Sequence, residues 1–124
     1  MTAPAARRLE AQATAELVGW VRASLGLTYN QLGSLTGATT RTAQRWGDAR
    51  DLTVPSGAHR EKLDQLRELK RLLASTLPEE NVALEWLHRE VPLLGGKRPI
   101  DLIRRGDLRP LIEVLAGAHA GAFA

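Results

Sequence analysis

Leucine returns at positions 63, 66, 69, 73 and 77, in steps of three and four, with charged residues between. That period marks one face of an α-helix, because a half-buried strand would alternate every two residues. The spacing predicts a helix over 58–75, opened at Ser56 or Gly57. Its solvated side interleaves Arg60, Lys62, Arg67, Lys70 and Arg71 with Glu61, Asp64 and Glu68, a pattern that gives i,i+3 and i,i+4 ion pairs. Composition extends the argument to the whole chain. Of 124 residues, 21 are Leu, 18 Ala and 14 Arg, while Val, Ile and aromatics are scarce. Leu, Ala and Arg favour helix, and a sheet would want more β-branched and aromatic residues. An all-α fold is expected.

The absence of cysteine excludes a disulfide framework, a thiolate metal site and a cysteine nucleophile. No apolar run approaches the roughly 20 residues that span a bilayer, and the first residues lack an apolar signal core. A soluble, cytoplasmic protein with no membrane association is expected. The formal charge is +3, and its placement matters more than its size. Residues 1–60 carry seven Arg against four acids; residues 61–124 carry ten Lys/Arg against ten acids. The excess lies wholly in the first half, which is where a polyanion partner would be sought.

Residues 1–8 have no pattern and read as a frayed start. From 9 to 24, Leu9, Ala13, Leu17, Trp20 and Val21 form an apolar face, ended by Gly26. Thr28 and Gln31 have capping-box spacing for a short helix that turns Leu32 and Leu35 inward and stops at Gly37. Thr39 caps a second short helix over 40–48, with Ala43 and Trp46 inward. Two short helices joined by a tight Gly-containing turn make a helix-turn-helix. After a connector at 49–57 and the long leucine helix, Pro78 opens a helix to about Arg89 that buries Val82, Trp86 and Leu87. Pro99 opens another through Arg105, with Ile100 and Ile103 inward, closed by Gly106. Asp107 caps the last helix, whose face is Leu111, Val114, Leu115 and Ala118.

In a helix-turn-helix the second helix offers its N-terminal residues to base edges in the major groove. The outward positions are Thr40, Arg41, Gln44 and Arg45, with Thr39 placed for a phosphate. Arg pairs in bidentate fashion with guanine and Gln with adenine. Arg7, Arg8 and Arg50 add phosphate contacts. An operator-binding protein of this kind requires a homodimer on a two-fold site. The alternative is two helices of an ordinary bundle, with arginine on the surface for solubility, and Asp48 and Asp51 close behind the second helix weigh on that side.

The second half holds a sharper pattern: Trp86-Leu87, then Pro92-Leu93-Leu94-Gly95-Gly96-Lys97-Arg98-Pro99-Ile100-Asp101-Leu102-Ile103. Gly95-Gly96 permits a turn closed to residues with a Cβ. Pro99 presets the helix that follows, and Asp101 suits its positive end. Lys97 and Arg98 are expected to protrude from the glycine hinge; the bland alternative is two solvated loop cations. This stretch resembles the C-terminal domain of the Xre/MbcA/ParS-type antitoxins, most clearly over 94–103. With the preceding helix-turn-helix, the resemblance extends over roughly 25–124. Two departures stand out: Val91 precedes Pro92 where many members have Asn, and the ending Ala120-Gly121-Ala122-Phe123 follows the mycobacterial branch.

The resemblance implies a helix-turn-helix module at 1–55 and a helical toxin-binding domain at 56–124. It also implies a dimer, and a RES-domain, NAD-degrading toxin as partner, neutralised by covering its active site. Lys97, Arg98, Arg104 and Arg105, with Gly121, Ala122 and Phe123 in the tail, are the implied toxin contacts; Phe123 can otherwise fold back on Leu115 or Trp86. Repression of its own operon through the helix-turn-helix is the second implied role. The competing reading is a plain transcription regulator whose C-terminal domain dimerises or senses a ligand.

No enzyme is expected. His59, His88 and His119 fall on different helices without carboxylates at metal-ligand spacing, and no phosphate-binding loop or nucleophile elbow occurs. No cofactor is implied.

Overall fold

The computed structural model describes residues 3–119, and the side chains of 5–118. Seven α-helices occur among them: α1 (Ala3–Ala23), α2 (Tyr29–Thr36), α3 (Thr40–Trp46), α4 (Gly57–Thr76), α5 (Glu80–Leu87), α6 (Pro99–Arg104) and α7 (Arg109–His119). A single 3-10 turn, Pro92–Leu94, precedes α6. No strand forms among the described residues; the one β-type contact is an isolated antiparallel bridge between Val91 and Lys97. The fold is all-α.

The chain packs as two units, residues 1–61 and 62–124, and α4 begins in the first and continues through the second. In the first unit α2 packs on α3, and α1 packs on α3 as well. The helix starts follow their caps. Thr28 Oγ1 accepts from the Gln31 backbone N–H at 3.0 Å, and Gln31 Oε1 accepts from the Thr28 N–H at 2.9 Å, which completes the capping box. Thr39 Oγ1 accepts from the Thr42 N–H at 3.1 Å and so starts α3. Leu32, Leu35, Ala43 and Trp46 are buried, as their spacing predicts. Tyr29 receives the Arg22 guanidinium 4.0 Å above its ring, a cation–π contact. His59, in the first turn of α4, lies 3.2 Å from the Gly37 carbonyl and meets Trp46 edge-on at 5.6 Å.

Helix α1 departs from the pattern read along the chain. It begins at Ala3, so the expected frayed start is helical: alanine and arginine hold a helix by propensity, without burial. Leu9 is 69% exposed and Ala13 is exposed, against expectation. The buried stripe is Ala11, Thr14, Leu17, Val18, Val21 and Leu25, and Trp20 is half-buried. Two ladders with three- and four-residue steps overlap in this segment and share Leu17 and Val21. Packing selects the ladder that continues into Leu25 and Leu27.

In the second unit Leu63, Leu66, Leu69, Leu72 and Leu73 of α4 are buried. Trp86 and Leu87 are buried on α5, and Ile100, Leu102 and Ile103 on α6. Helix α5 packs on α6, and α7 on the 3-10 turn. Two boundary expectations are corrected. Val82 is 40% exposed, because α5 starts at Glu80, later than Pro78, and buries only its C-terminal end. Asp107 does not open α7, which starts at Arg109. Its N–H instead donates to the Leu102 carbonyl at 2.9 Å, closing α6 together with the Gly106 N–H on Ile103. The Lys62 ammonium donates to the Gly106 carbonyl and ties that corner to α4.

Candidate functional site

The first candidate surface is the outer side of α3. Thr39 and Thr40 are partly occupied with holding the helix pair: Thr39 caps α3 and bonds the Thr42 hydroxyl, and Thr40 Oγ1 accepts from Asn30 Nδ2 at 3.2 Å. Arg41, Gln44 and Arg45 are exposed. Arg45 Nε stands 3.9 Å from Asp51, a long contact that leaves its guanidinium largely available. Arg50 stands in solvent, its side chain 92% exposed, and is paired there with Asp48. Its backbone N–H and Nε both donate to Asp48 Oδ1, at 2.9 and 3.2 Å. The Arg50 bonds hold the Asp48 carboxyl below its ordinary value of 3.8. Bonds from Thr53 lower Asp51 likewise. The two acids behind α3 are thus turned toward the connector, satisfied by Arg50 and Thr53.

The second candidate surface is the loop 91–97 with α6. Its backbone is closed on itself. The Val91 N–H donates to the Lys97 carbonyl at 3.1 Å, while Leu94 and Gly96 both donate to the Val91 carbonyl, at 2.9 and 3.0 Å. Gly95 and Gly96 have φ of +68° and +78°, a left-handed pair that a residue with a Cβ enters at a cost of about 1–2 kcal/mol each. Val91 and Leu94 plug the loop into the core, and Pro92, Leu93 and Lys97 face outward.

Of the four cations expected here, Lys97, Arg104 and Arg105 are exposed. Arg98 is part-exposed, its side chain at 43% against 40% for Arg104, and is tied back to α6. Its Nε and Nη2 bond the two carboxylate oxygens of Asp101, each at 2.9 Å. Arg104 Nη1 approaches the same carboxylate at 3.6 Å. The bidentate bond from Arg98, and then the charges of Arg98, Arg104 and Arg105, hold Asp101 below 3.8; Asp101 in turn raises Arg98. The sequence assigns Asp101 to the start of α6; the i,i+3 spacing of Arg98 and Asp101 is the signal for its second role as counter-ion. Gly121, Ala122 and Phe123 lie outside the described residues.

His59 and His88 each bond a backbone carbonyl, Gly37 and Leu84 respectively. Among the described residues no group of three or more His, Asp or Glu is placed to hold a metal, and no helix is long and apolar enough to cross a membrane. What the two surfaces offer is exposed cations and hydrogen-bond donors on rigid helical supports, the equipment of a binding protein.

Comparisons with known proteins agree with that class. No protein-family model matches the chain. Among curated proteins, the probable mycobacterial cidal antitoxin Rv3188 of Mycobacterium tuberculosis is 32% identical over 93 residues, 71% of this chain and 75% of the relative. The mycobacterial cidal antitoxin MbcA of M. tuberculosis is 28% identical over 99 residues, 80% of this chain and 85% of MbcA. Among solved structures, one chain of the crystal structure of the M. tuberculosis MbcT-MbcA toxin-antitoxin complex superimposes with a TM-score of 0.59 at 27% identity. That match covers 89% of this chain and 96% of the other. The chain belongs to the mycobacterial cidal antitoxin family.

Proposed function

We propose that the protein is the antitoxin of a toxin–antitoxin pair and that it neutralises a RES-domain, NAD-degrading toxin by covering its active site. The observation that carries this reading is the match, over nearly the full length of both chains, to one chain of the MbcT-MbcA toxin-antitoxin complex. The exposed cations of the second unit, Lys97, Arg104 and Arg105, support it, since they give this surface positive charge that acidic residues around the toxin's active site would complement. Arg98, anchored by Asp101, presents its remaining edge from a fixed position. Gly121, Ala122 and Phe123 complete the contact set as the tail that enters the pocket. The protein itself catalyses nothing.

The division of labour follows 1–55 for operator DNA and 56–124 for toxin. Thr40, Arg41, Gln44 and Arg45 face base edges from α3, Thr39 meets a phosphate, and a homodimer on a two-fold operator represses the operon. The capped α2–α3 pair with its three exposed polar side chains supports this second role.

Co-expression with the toxin encoded beside its gene tests the first reading. Growth is restored and cellular NAD is preserved by the full chain. Toxicity and NAD loss that persist at equal expression would remove the assignment. Deleting residues 117–124 abolishes rescue; rescue by the truncated chain takes the inhibitory role away from the tail.

A further inference from the structure

The second half is neutral as a whole, yet its charge is segregated. Residues 89–109 carry six Arg/Lys and three acids, whereas the rest of 61–124 carries four Lys/Arg and seven acids. In the basic segment stands Leu93, which is 67% exposed. A lone surface leucine ordinarily needs no explanation. This one differs in how it is held. Its neighbours Val91 and Leu94 are buried, and five backbone hydrogen bonds close the loop around it. The left-handed glycines at 95 and 96 turn the chain back to the Val91–Lys97 bridge. The side chain is thus displayed on a backbone with little freedom left to lose, the condition under which an apolar anchor binds at low entropic cost. Pro92 is exposed beside it, and Lys97 is exposed where the loop closes.

We infer that Leu93 is the apolar anchor of the toxin-binding surface. It would seat in an apolar pocket on the toxin whose rim carries carboxylates facing Lys97, the cation of the same loop. The inference rests on the toxin-binding reading and adds a contact that the cations alone do not supply. Charge complementarity sets the partner's chemistry: the loop 91–97 contains no acid, and the one carboxylate of α6, Asp101, is already taken up by Arg98 and Arg104. The cations steer the encounter, and the desolvated leucine slows dissociation.

The test measures binding of the full chain to the toxin encoded beside its gene, using an inactive toxin variant. Leu93→Ala and Leu93→Asp are compared with wild type and with Leu93→Met, and each is checked for unchanged thermal unfolding. The anchor predicts at least about a tenfold weaker Kd for Leu93→Ala, expressed mainly in the dissociation rate, a larger loss for Leu93→Asp, and recovery in Leu93→Met. Wild-type binding with Leu93→Ala and Leu93→Asp unchanged overturns the anchor and leaves the antitoxin reading standing. Loss confined to Lys97→Glu, with Leu93→Ala neutral, makes the surface purely electrostatic and also overturns it. Failure of the wild-type chain to bind removes the antitoxin reading itself, and the anchor with it.

Discussion

Gly33 sits in the middle of α2, where alanine would ordinarily be the better helix former by about 1 kcal/mol. Here a Cβ would stand 2.9 Å from the Ala38 carbonyl oxygen and 3.1 Å from the Thr39 backbone. Neither neighbour is a flexible side-chain end, so the turn between α2 and α3 would have to open. Gly33→Ala therefore destabilises the protein by about 1–3 kcal/mol, read as a lower midpoint in urea. Gly19, on the outer side of α1, has nothing within 4 Å of such a Cβ. Gly19→Ala stabilises by about 0.5–1 kcal/mol in the same measurement, through helix propensity alone. The pair separates close approach from backbone freedom: equal effects at both positions would contradict the packing described for Gly33.

At the scale of the element, each helix of the first unit's pair depends on one threonine. Thr28→Ala and Thr39→Ala each cost about 1 kcal/mol, and Thr28→Ala costs the more because the reciprocal Gln31 bond loses its geometry too. Chemical denaturation checks both. Helix α3 also carries the DNA reading. Arg41→Ala combined with Arg45→Ala abolishes operator binding in a mobility-shift assay while leaving toxin rescue intact, because neither side chain holds the fold. Operator binding that survives the double change would take α3 out of recognition. Helix α6 shows how much of a site can be read along a chain. The Gly-Gly turn, the Pro99 start and the inward Ile100 and Ile103 were legible, since each depends on its own backbone and period. That Arg98 folds onto Asp101 while Lys97 stays outside was not. Both are cations beside the same hinge, and only the spatial position of one carboxylate separates them.

At the scale of the whole molecule, exposed carboxylates set the response to acid. Asp48, Asp51 and Asp101 are held below 3.8, and Glu68, bonded by Arg71, below 4.5. A carboxyl lowered by folding stabilises the native state fully above its unfolded value, and that contribution is lost as pH falls through the folded one. The melting temperature is therefore flat from neutrality to the upper edge of this range and declines below it. Added salt shrinks the decline, because these pairs are solvent-exposed. A melting temperature indifferent to acid, followed by circular dichroism, would contradict the pairing. Local periodicity, caps and glycine stops were sufficient to determine the helices, their order and most of the buried leucines, because each is decided within a few residues of chain. Tertiary packing alone decided which of two overlapping stripes of α1 faces inward, leaving Leu9 exposed. It also turned Asp107 to the end of α6, left Val82 half in water, and displayed Leu93 while burying Leu94. In each case the chain offers near-equivalent apolar or charged positions, and only the surface available to pack against makes them unequal.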